Sequence, residues 1–319
     1  MQMENASPWK VALAFVAIYI IWGTTYMAIA FGLKGFPPFI LSAFRFFIAG
    51  VLLFLFCKIK NHKIPSLRII VPSSVSGVVA LVGGSGLVTW AEQYVGTGYA
   101  ATILAAEPFM FILFERKLWS FYFSQKPIIA GLVIGFVGLV LFSYSSVIQA
   151  GAENMQLIGN IVLILSAVLW VAGSLYGKKI NTESFSNTMV TSIQLIAAGI
   201  FSGFLALLAG EWSQFSLQNI SSEAWAGLVY LIIMGSMVAF LAFTWLMTIR
   251  PPALVSTHTY VNPVVAVIAG WLLAGETFTG IQIIGLVIIL IGVLLTKLPE
   301  YKESKIFARI GLLSNKNAG

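Results

Sequence analysis

Gly131-Leu132-Val133-Ile134 and Gly285-Leu286-Val287-Ile288 are the same four residues, and each run is followed at the same offset by another glycine, Gly138 and Gly292. Upstream of the two runs the coincidence continues. Thr89-Trp90 returns as Thr244-Trp245, Thr102 as Thr257, and Glu107-Pro108 as Asn262-Pro263. Earlier still, Arg45 with Ala49-Gly50 answers to Gln194 with Ala198-Gly199. Identity is thin, but order and spacing are kept across nearly the whole apolar region, so the chain reads as an internal duplication.

The medium in which the two copies fold follows from composition. Of 319 residues 59% are hydrophobic and 9% charged, against roughly 25% charged in an ordinary globular chain, which excludes a soluble protein. A bilayer core about 30 Å thick needs about 20 apolar residues per helix. That ruler yields ten segments with limits near 11 to 33, 37 to 57, 69 to 91, 97 to 115, 126 to 146, 157 to 177, 186 to 209, 223 to 248, 252 to 274 and 279 to 297. The runs do not alternate with period two, so a strand barrel is excluded, and each span must satisfy its own backbone as a helix. The first run is longer than a signal-peptide core and leads into Lys34-Gly35-Phe36-Pro37-Pro38 without a small-residue cleavage site, which keeps it as a spanning helix.

Basic residues set the orientation. With the N-terminus inside, the cytoplasmic loops hold Lys10, then Lys58, Lys60, Lys63 and Arg68, then Arg116, Lys117 and Lys126, then Lys178 and Lys179, then Arg250, and finally Lys297, Lys302, Lys305, Arg309 and Lys316. Of the 18 Lys and Arg only Lys34 lies outside and only Arg45 within a helix, as the positive-inside rule requires. The expected fold is therefore an all-α polytopic membrane protein of ten helices with both termini cytoplasmic. A first five-helix repeat fills 1–150, a second 151–297, and a basic tail 298–319. Five is odd, so the copies enter the membrane from opposite faces. In secondary transporters such inverted repeats enclose a substrate site near the midplane and alternate its access by rocking.

Several chemistries are excluded by what is scarce. All 11 acids are Glu, Cys57 is the single cysteine, and His62 and His258 are far apart, so neither a disulfide nor a metal site is expected, and no cofactor. The net charge of +7 is distributed between apolar runs rather than on a soluble face, which argues against nucleic acid. Gly83-Gly84-Ser85-Gly86 lies inside an apolar helix with no strand before it. Gly173-Ser174-Leu175-Tyr176-Gly177-Lys178-Lys179 has its glycines one residue too close for a phosphate loop and no hydroxyl after the lysine. The glycine pairs Gly131/Gly135 and Gly199/Gly203 read as packing faces, in a monomer or a homodimer.

The candidate site residues are the polar and aromatic side chains deep in the segments. Glu107 lies about eleven residues into the fourth segment, near mid-bilayer at 1.5 Å per residue. An ionised carboxylate facing lipid there would be prohibitive, so Glu107 faces a cavity, where it could carry a proton, or bonds a carbonyl freed at Pro108. Arg45, about twelve ångströms from the outer end of the second segment, needs a partner. Glu92 and Glu107 are the two carboxylates in range, and an open guanidinium could instead hold an anionic substrate group. Trp22 and Tyr26 share one helical face and suit a cavity wall, with Trp170, Tyr260 and Asn262 at comparable depth. Trp90, Tyr99 and Thr102 are further lining candidates, although Trp90 and Tyr99 equally suit an interfacial aromatic belt. His258 is a second candidate for proton coupling, the plainer reading being a hydrogen bond to a neighbour. The tail beyond Lys297 suits a short amphipathic helix on the anionic leaflet or a disordered end.

These stretches resemble the EamA family of the drug/metabolite transporter superfamily, in particular its bacterial inner-membrane exporters. The likeness spans about residues 11 to 297. It is carried by Ile21-Trp22-Gly23-Thr24-Thr25-Tyr26, Arg45-Phe46-Phe47-Ile48-Ala49-Gly50, Ala91-Glu92-Gln93, Glu107-Pro108, Tyr260-Val261-Asn262-Pro263 and Gly275-Glu276-Thr277. The resemblance implies two five-helix repeats and a central cavity formed mainly by the first, third and fourth helices of each. It also implies peripheral fifth and tenth helices, and small metabolites moved outward across a bacterial inner membrane. Export of small amphipathic solutes such as amino acids is thus the leading expectation. An uncoupled facilitator and a lipid-linked sugar translocase are the alternatives, and a membrane enzyme would need clustered His, Asp or Cys that the chain lacks.

Overall fold

The computed structural model describes residues 7–95, 97–142, 154–180, 182, 184–218, 220–274, 280–281 and 283–296, and among these every regular element is helical. In the first half α1 (Pro8–Leu33), α2 (Pro38–Ile59) and α3 (Leu67–Ala91) are continuous. They are followed by α4 (Thr97–Leu104), α5 (Glu107–Phe114), α6 (Trp119–Ser124) and α7 (Lys126–Phe142). The second half comprises α8 (Asn154–Lys179), α9 (Asn187–Leu208), α10 (Glu211–Gln214), α11 (Ser222–Ile249), α12 (Pro252–Val255), α13 (His258–Ala274) and α14 (Ile283–Thr296). Six of the described helices are long and apolar enough to cross a bilayer, and Arg116–Ser124 with Lys126–Phe142, bent by 94°, make a seventh if the pair is one span. The protein is an all-helical, multi-span membrane protein. The end of the fifth expected segment, the junction at 150, Gly275-Glu276-Thr277 and the basic tail lie outside the described residues.

Helix limits fall within a few residues of the apolar runs, with one correction made twice. The fourth and ninth segments, expected as single helices, are each two. Pro108 has no N–H and disfavours helical backbone before it, and the chain turns at Ala105-Ala106, where Ala106 N–H reaches back only to Ile103 O (3.2 Å). In the ninth segment the turn falls at Ser256-Thr257. There Ser256 Oγ donates to Ala253 O (3.0 Å) and Thr257 Oγ1 to Leu254 O (2.7 Å), so the hydroxyls take up carbonyls that the broken ladder leaves open.

Large apolar side chains such as Ile59, Leu207 and Leu208 point outward, as lipid allows. Lipid also removes the hydrophobic drive between helices, so close contact of small residues has to supply it. Where α7 crosses α14, a Cβ on Gly131 would stand 2.6 Å from the carbonyl oxygen of Gly292, and one on Gly285 2.6 Å from the backbone nitrogen of Phe142. The two copies of the repeated glycine motif are therefore each other's packing surface, and the face suggested for a homodimer is occupied within the chain. Likewise α2 lies along α9, with Gly50 on the Ile196 backbone and Gly199 on Phe47. The remaining contacts are reciprocal: α1 packs on α11 and α13 of the second half, and α8 packs on α3, α4 and α5 of the first.

Both third-position helices carry a wide turn. Residues Val78–Gly86 of α3 and Leu231–Ala239 of α11 are π-helical over nine residues each. Such segments shift the register of side chains about the axis and commonly mark functional sites. Both contribute residues to the wall of the molecule's central space.

Candidate functional site

The central space is a cavity with about 80 Å³ open to the centre of a water molecule, walled by both halves, with α1, α2, α3 and Glu107 of α5 on one side and α8, α11 and α13 on the other. Its floor is aromatic. Trp22 packs edge-on to Trp170 (5.4 Å between ring centres) and His258 (4.7 Å), and Phe243 lies 5.2 Å from Trp22 and 5.1 Å from Trp170. The Trp22 indole N–H donates to Gly235 O within the π stretch of α11 (3.2 Å), which fixes the ring.

Arg45 projects from α2 between the two π stretches and is 5% exposed. Its Nε donates to Ser236 Oγ (2.9 Å) and its Nη1 to Ser85 Oγ (3.3 Å), one hydroxyl from each half. The expected salt bridge to Glu92 or Glu107 is not formed, since among the described residues no carboxylate lies within 4.0 Å of the guanidinium. The wide turns bring serines rather than acids to Arg45. Hydroxyls hold the guanidinium's direction without neutralising it, while the Glu92 carboxylate acts on its charge from beyond ion-pair distance.

Glu107 opens α5 and is 5% exposed, with Oε2 unpartnered among the described residues. Trp170 Nε1 and His258 Nε2 are unpartnered in the same sense. Buried polar atoms are normally satisfied, and three orphans around one cavity, one from the first half and two from the second, mark a place built for a guest. Asn262 is different. With its amide turned to suit its neighbours, its NH2 donates to the carbonyls of His258 (2.8 Å) and Tyr19 (3.3 Å), so it ties α13 to α1.

Trp22, Tyr26, Arg45, Glu107, Trp170, His258 and Asn262 thus meet in one cavity. Tyr260 does not. It is fully buried against Gly135, with its hydroxyl donating to Leu132 O (3.2 Å), so it joins α13 to α7 instead of lining the chamber. Trp90 also lies outside, paired with Tyr94 at 5.0 Å between ring centres. Tyr99 and Thr102 are on α4, and their side chains lie outside the described residues.

With a two-halved helical fold and a shared polar cavity established, the chain can be set beside known proteins. The family model described as "EamA-like transporter family" matches residues 9–144 and 157–298, one match in each half. The chain belongs to the EamA-like transporter family. Among curated relatives, the Escherichia coli K12 protein "Uncharacterized inner membrane transporter YedA" is 34% identical over 90% of both chains. The Salmonella typhimurium "Probable amino-acid metabolite efflux pump" is 24% identical over 86% of this chain and 90% of its own. One crystal structure aligns with a TM-score of 0.73 over 93% of this chain and 99% of that one, at 18% identity, a likeness of fold alone. This EamA-like transporter is a multi-pass inner-membrane protein.

Reasoning from sequence missed the residues that orient Arg45. Ser85 and Ser236 each follow a glycine inside an apolar span, as Gly84-Ser85 and Gly235-Ser236. That repeated dipeptide was a usable signal, although Gly83 to Gly86 reads most simply as a packing face. Thr25 and Thr259 also line the cavity, and Thr25 Oγ1 donates to Trp22 O (2.7 Å).

Proposed function

We propose that this transporter exports small amphipathic metabolites, amino acids or related solutes, by alternating access of two inverted five-helix halves. In this reading the chain crosses the membrane ten times with both termini in the cytoplasm. The observation that carries it is the pairing, in one chamber shared by both halves, of an Arg45 held by hydroxyls with a buried Glu107 whose Oε2 is unpartnered among the described residues, above an aromatic floor. The reciprocal packing of α1 on α11 and α13, and of α8 on α3, α4 and α5, supports the inverted arrangement.

A zwitterionic amino acid suits this set of groups. Its carboxylate meets the Arg45 fork, its ammonium meets Glu107, and its side chain rests on Trp22 and Trp170. Glu107 cannot hold a proton and an ammonium at once. Cargo and proton therefore compete for it, and competition at an alternating site makes the two exchange across the membrane.

The test is flux into proteoliposomes loaded with L-leucine or L-phenylalanine, with and without an imposed pH gradient. Accumulation driven by the gradient and abolished in Glu107→Gln is the expected result. Equal accumulation in that variant removes the proton role, and no movement of either solute removes the substrate class.

A further inference from the structure

We propose that a second cleft, at the cytoplasmic ends of α3, α8, α9 and α11, is a loading site that binds a solute's ammonium group before the solute reaches the central chamber. Its placement on the cytoplasmic side rests on the topology proposed above. The cleft has about 60 Å³ open to the centre of a water molecule, and Phe240 stands on its wall and on the wall of the central chamber alike. The ring cluster of Phe240, Phe243, Trp22 and Trp170 is the partition between the two.

Gln194 is the built feature of the cleft. It is 7% exposed, and its Nε2 donates to Ser76 Oγ (3.1 Å), which donates in turn to Gly173 O (2.9 Å). The single proton of Ser76 is spent on Gly173, so the amide must present N–H to Ser76 and keep its oxygen as an acceptor buried in the cleft wall. That oxygen has no partner among the described residues. Asn187 is oriented in the same sense, its Nδ2 donating to Thr244 Oγ1 (3.0 Å) and Leu241 O (3.3 Å), which leaves its carbonyl to accept. Lys178 is the charged residue of the described lining, and its Nζ lies 3.2 Å from Oε1 of Glu115, which stands outside the lining. Two amide oxygens are thus fixed as acceptors, Lys178 is engaged by Glu115, and Ser174 Oγ, unpartnered among the described residues, can accept as well as donate, so the complementary guest is a donor-rich group, a primary ammonium above all.

The duplication supports the assignment independently. Gln194 stands at the repeat position of Arg45. Each half thus turns one long polar side chain of its second span into a cavity, a cation in the central chamber and an acceptor in the cleft. A zwitterion would present its ammonium in the cleft and its carboxylate at Arg45.

The test uses the full chain with Cys57→Ser, which removes the single cysteine, and Ser174→Cys on the cleft wall. Inside-out vesicles are labelled with 2-aminoethyl methanethiosulfonate, which carries an ammonium, or with uncharged methyl methanethiosulfonate. The ratio of the two rates is compared with that for a free thiol peptide. The expected ratio exceeds the peptide's by about fivefold, the order of one hydrogen bond. Gln194→Leu should return it to the peptide value without changing the rate of the methyl reagent, and Gln194→Glu should raise it further. A ratio at or below the peptide's, a ratio indifferent to both Gln194 variants, or a thiol that neither reagent reaches overturns the proposal. Labelling needs no transport, so loss of the labelling preference and loss of flux can be told apart.

Discussion

The α4–α5 stretch of the first half and the α12–α13 stretch of the second carry proline at matching repeat positions, yet they break in different places. In the first half the turn falls directly before Glu107-Pro108, so the acid becomes the first residue of α5. In the second half the turn comes earlier, at Ser256-Thr257, and Pro263 lies inside α13. Asn262 is then held by two backbone carbonyls, while Glu107 keeps Oε2 with no partner among the described residues. Duplication supplied two equivalent scaffolds. The difference in side chain and in break left one fastening helices and the other with an unpartnered carboxylate oxygen, to which the proposed function gives the binding and release of cargo.

The sharpest way to break this comparison is at the surface that holds the halves together. Gly292→Leu would drive a side chain into the Gly135 backbone, where no flexible group can yield. A loss above about 3 kcal/mol is expected, seen as absence of a monodisperse peak in size-exclusion chromatography. Gly203→Ala is the control, since its Cβ would meet only Ala43 Cβ at 3.8 Å, and it should behave as the parent. If Gly292→Leu folds normally, the crossing of α7 and α14 is wrong.

Asn262→Ala comes next. It removes the amide donors to His258 O and Tyr19 O and should cost about 1–3 kcal/mol, read as a lower thermal midpoint in detergent. An unchanged midpoint would mean that Asn262 is not a fastener and would dissolve the contrast with Glu107.

A smaller effect separates two ion pairs that link the halves among the described residues. Lys34–Glu223 is close, at 2.6 Å, but both side chains are more than half exposed, so Glu223→Ala should shift stability by no more than about 1 kcal/mol. Lys178–Glu115, with 17% and 15% exposure, should lose more when Glu115 becomes alanine, because a largely buried ammonium is left alone. Chemical denaturation of the two variants side by side orders them.

The smallest effect is a pH slope at Glu211. Gly210 adopts φ 71°, and this reversal at the end of α9 sets the Glu211 carboxylate on the amides of Ile40 (2.9 Å) and Phe39 (3.3 Å) at the start of α2. Burial holds the Glu211 carboxyl above its ordinary range, and the two amides pull it partly back. The folded state therefore binds this proton more tightly than the unfolded chain does. Its contribution to stability is fullest below the ordinary carboxylate pKa and is lost as pH rises through the folded value. Thermal midpoints should rise slightly from pH 7 to pH 5, and Glu211→Gln should flatten that slope.

The apolar runs were legible because bilayer thickness imposes their length, and the duplication because glycines at a helix crossing tolerate no substitute. Trp22, Arg45 and Glu107 were legible as site candidates because deep polar or aromatic side chains have few places to point. The rotation of a helix about its axis was not legible. It sends Tyr260 to Gly135 rather than into the chamber, and it depends on contacts remote in sequence. The π turns that carry Ser85 and Ser236 to Arg45 were hidden for the same reason, since nothing local in Val78–Gly86 or Leu231–Ala239 announces a wider turn.

The central claim is that proton and cargo compete for Glu107. Proteoliposomes carrying the pH dye pyranine in the lumen, with no initial pH gradient, test it when L-leucine is added outside. Entry of leucine in exchange for protons should make the lumen alkaline in the parent chain, and Glu107→Gln should abolish the signal. Leucine entry with no change in luminal pH, or the same change in Glu107→Gln, would contradict the account.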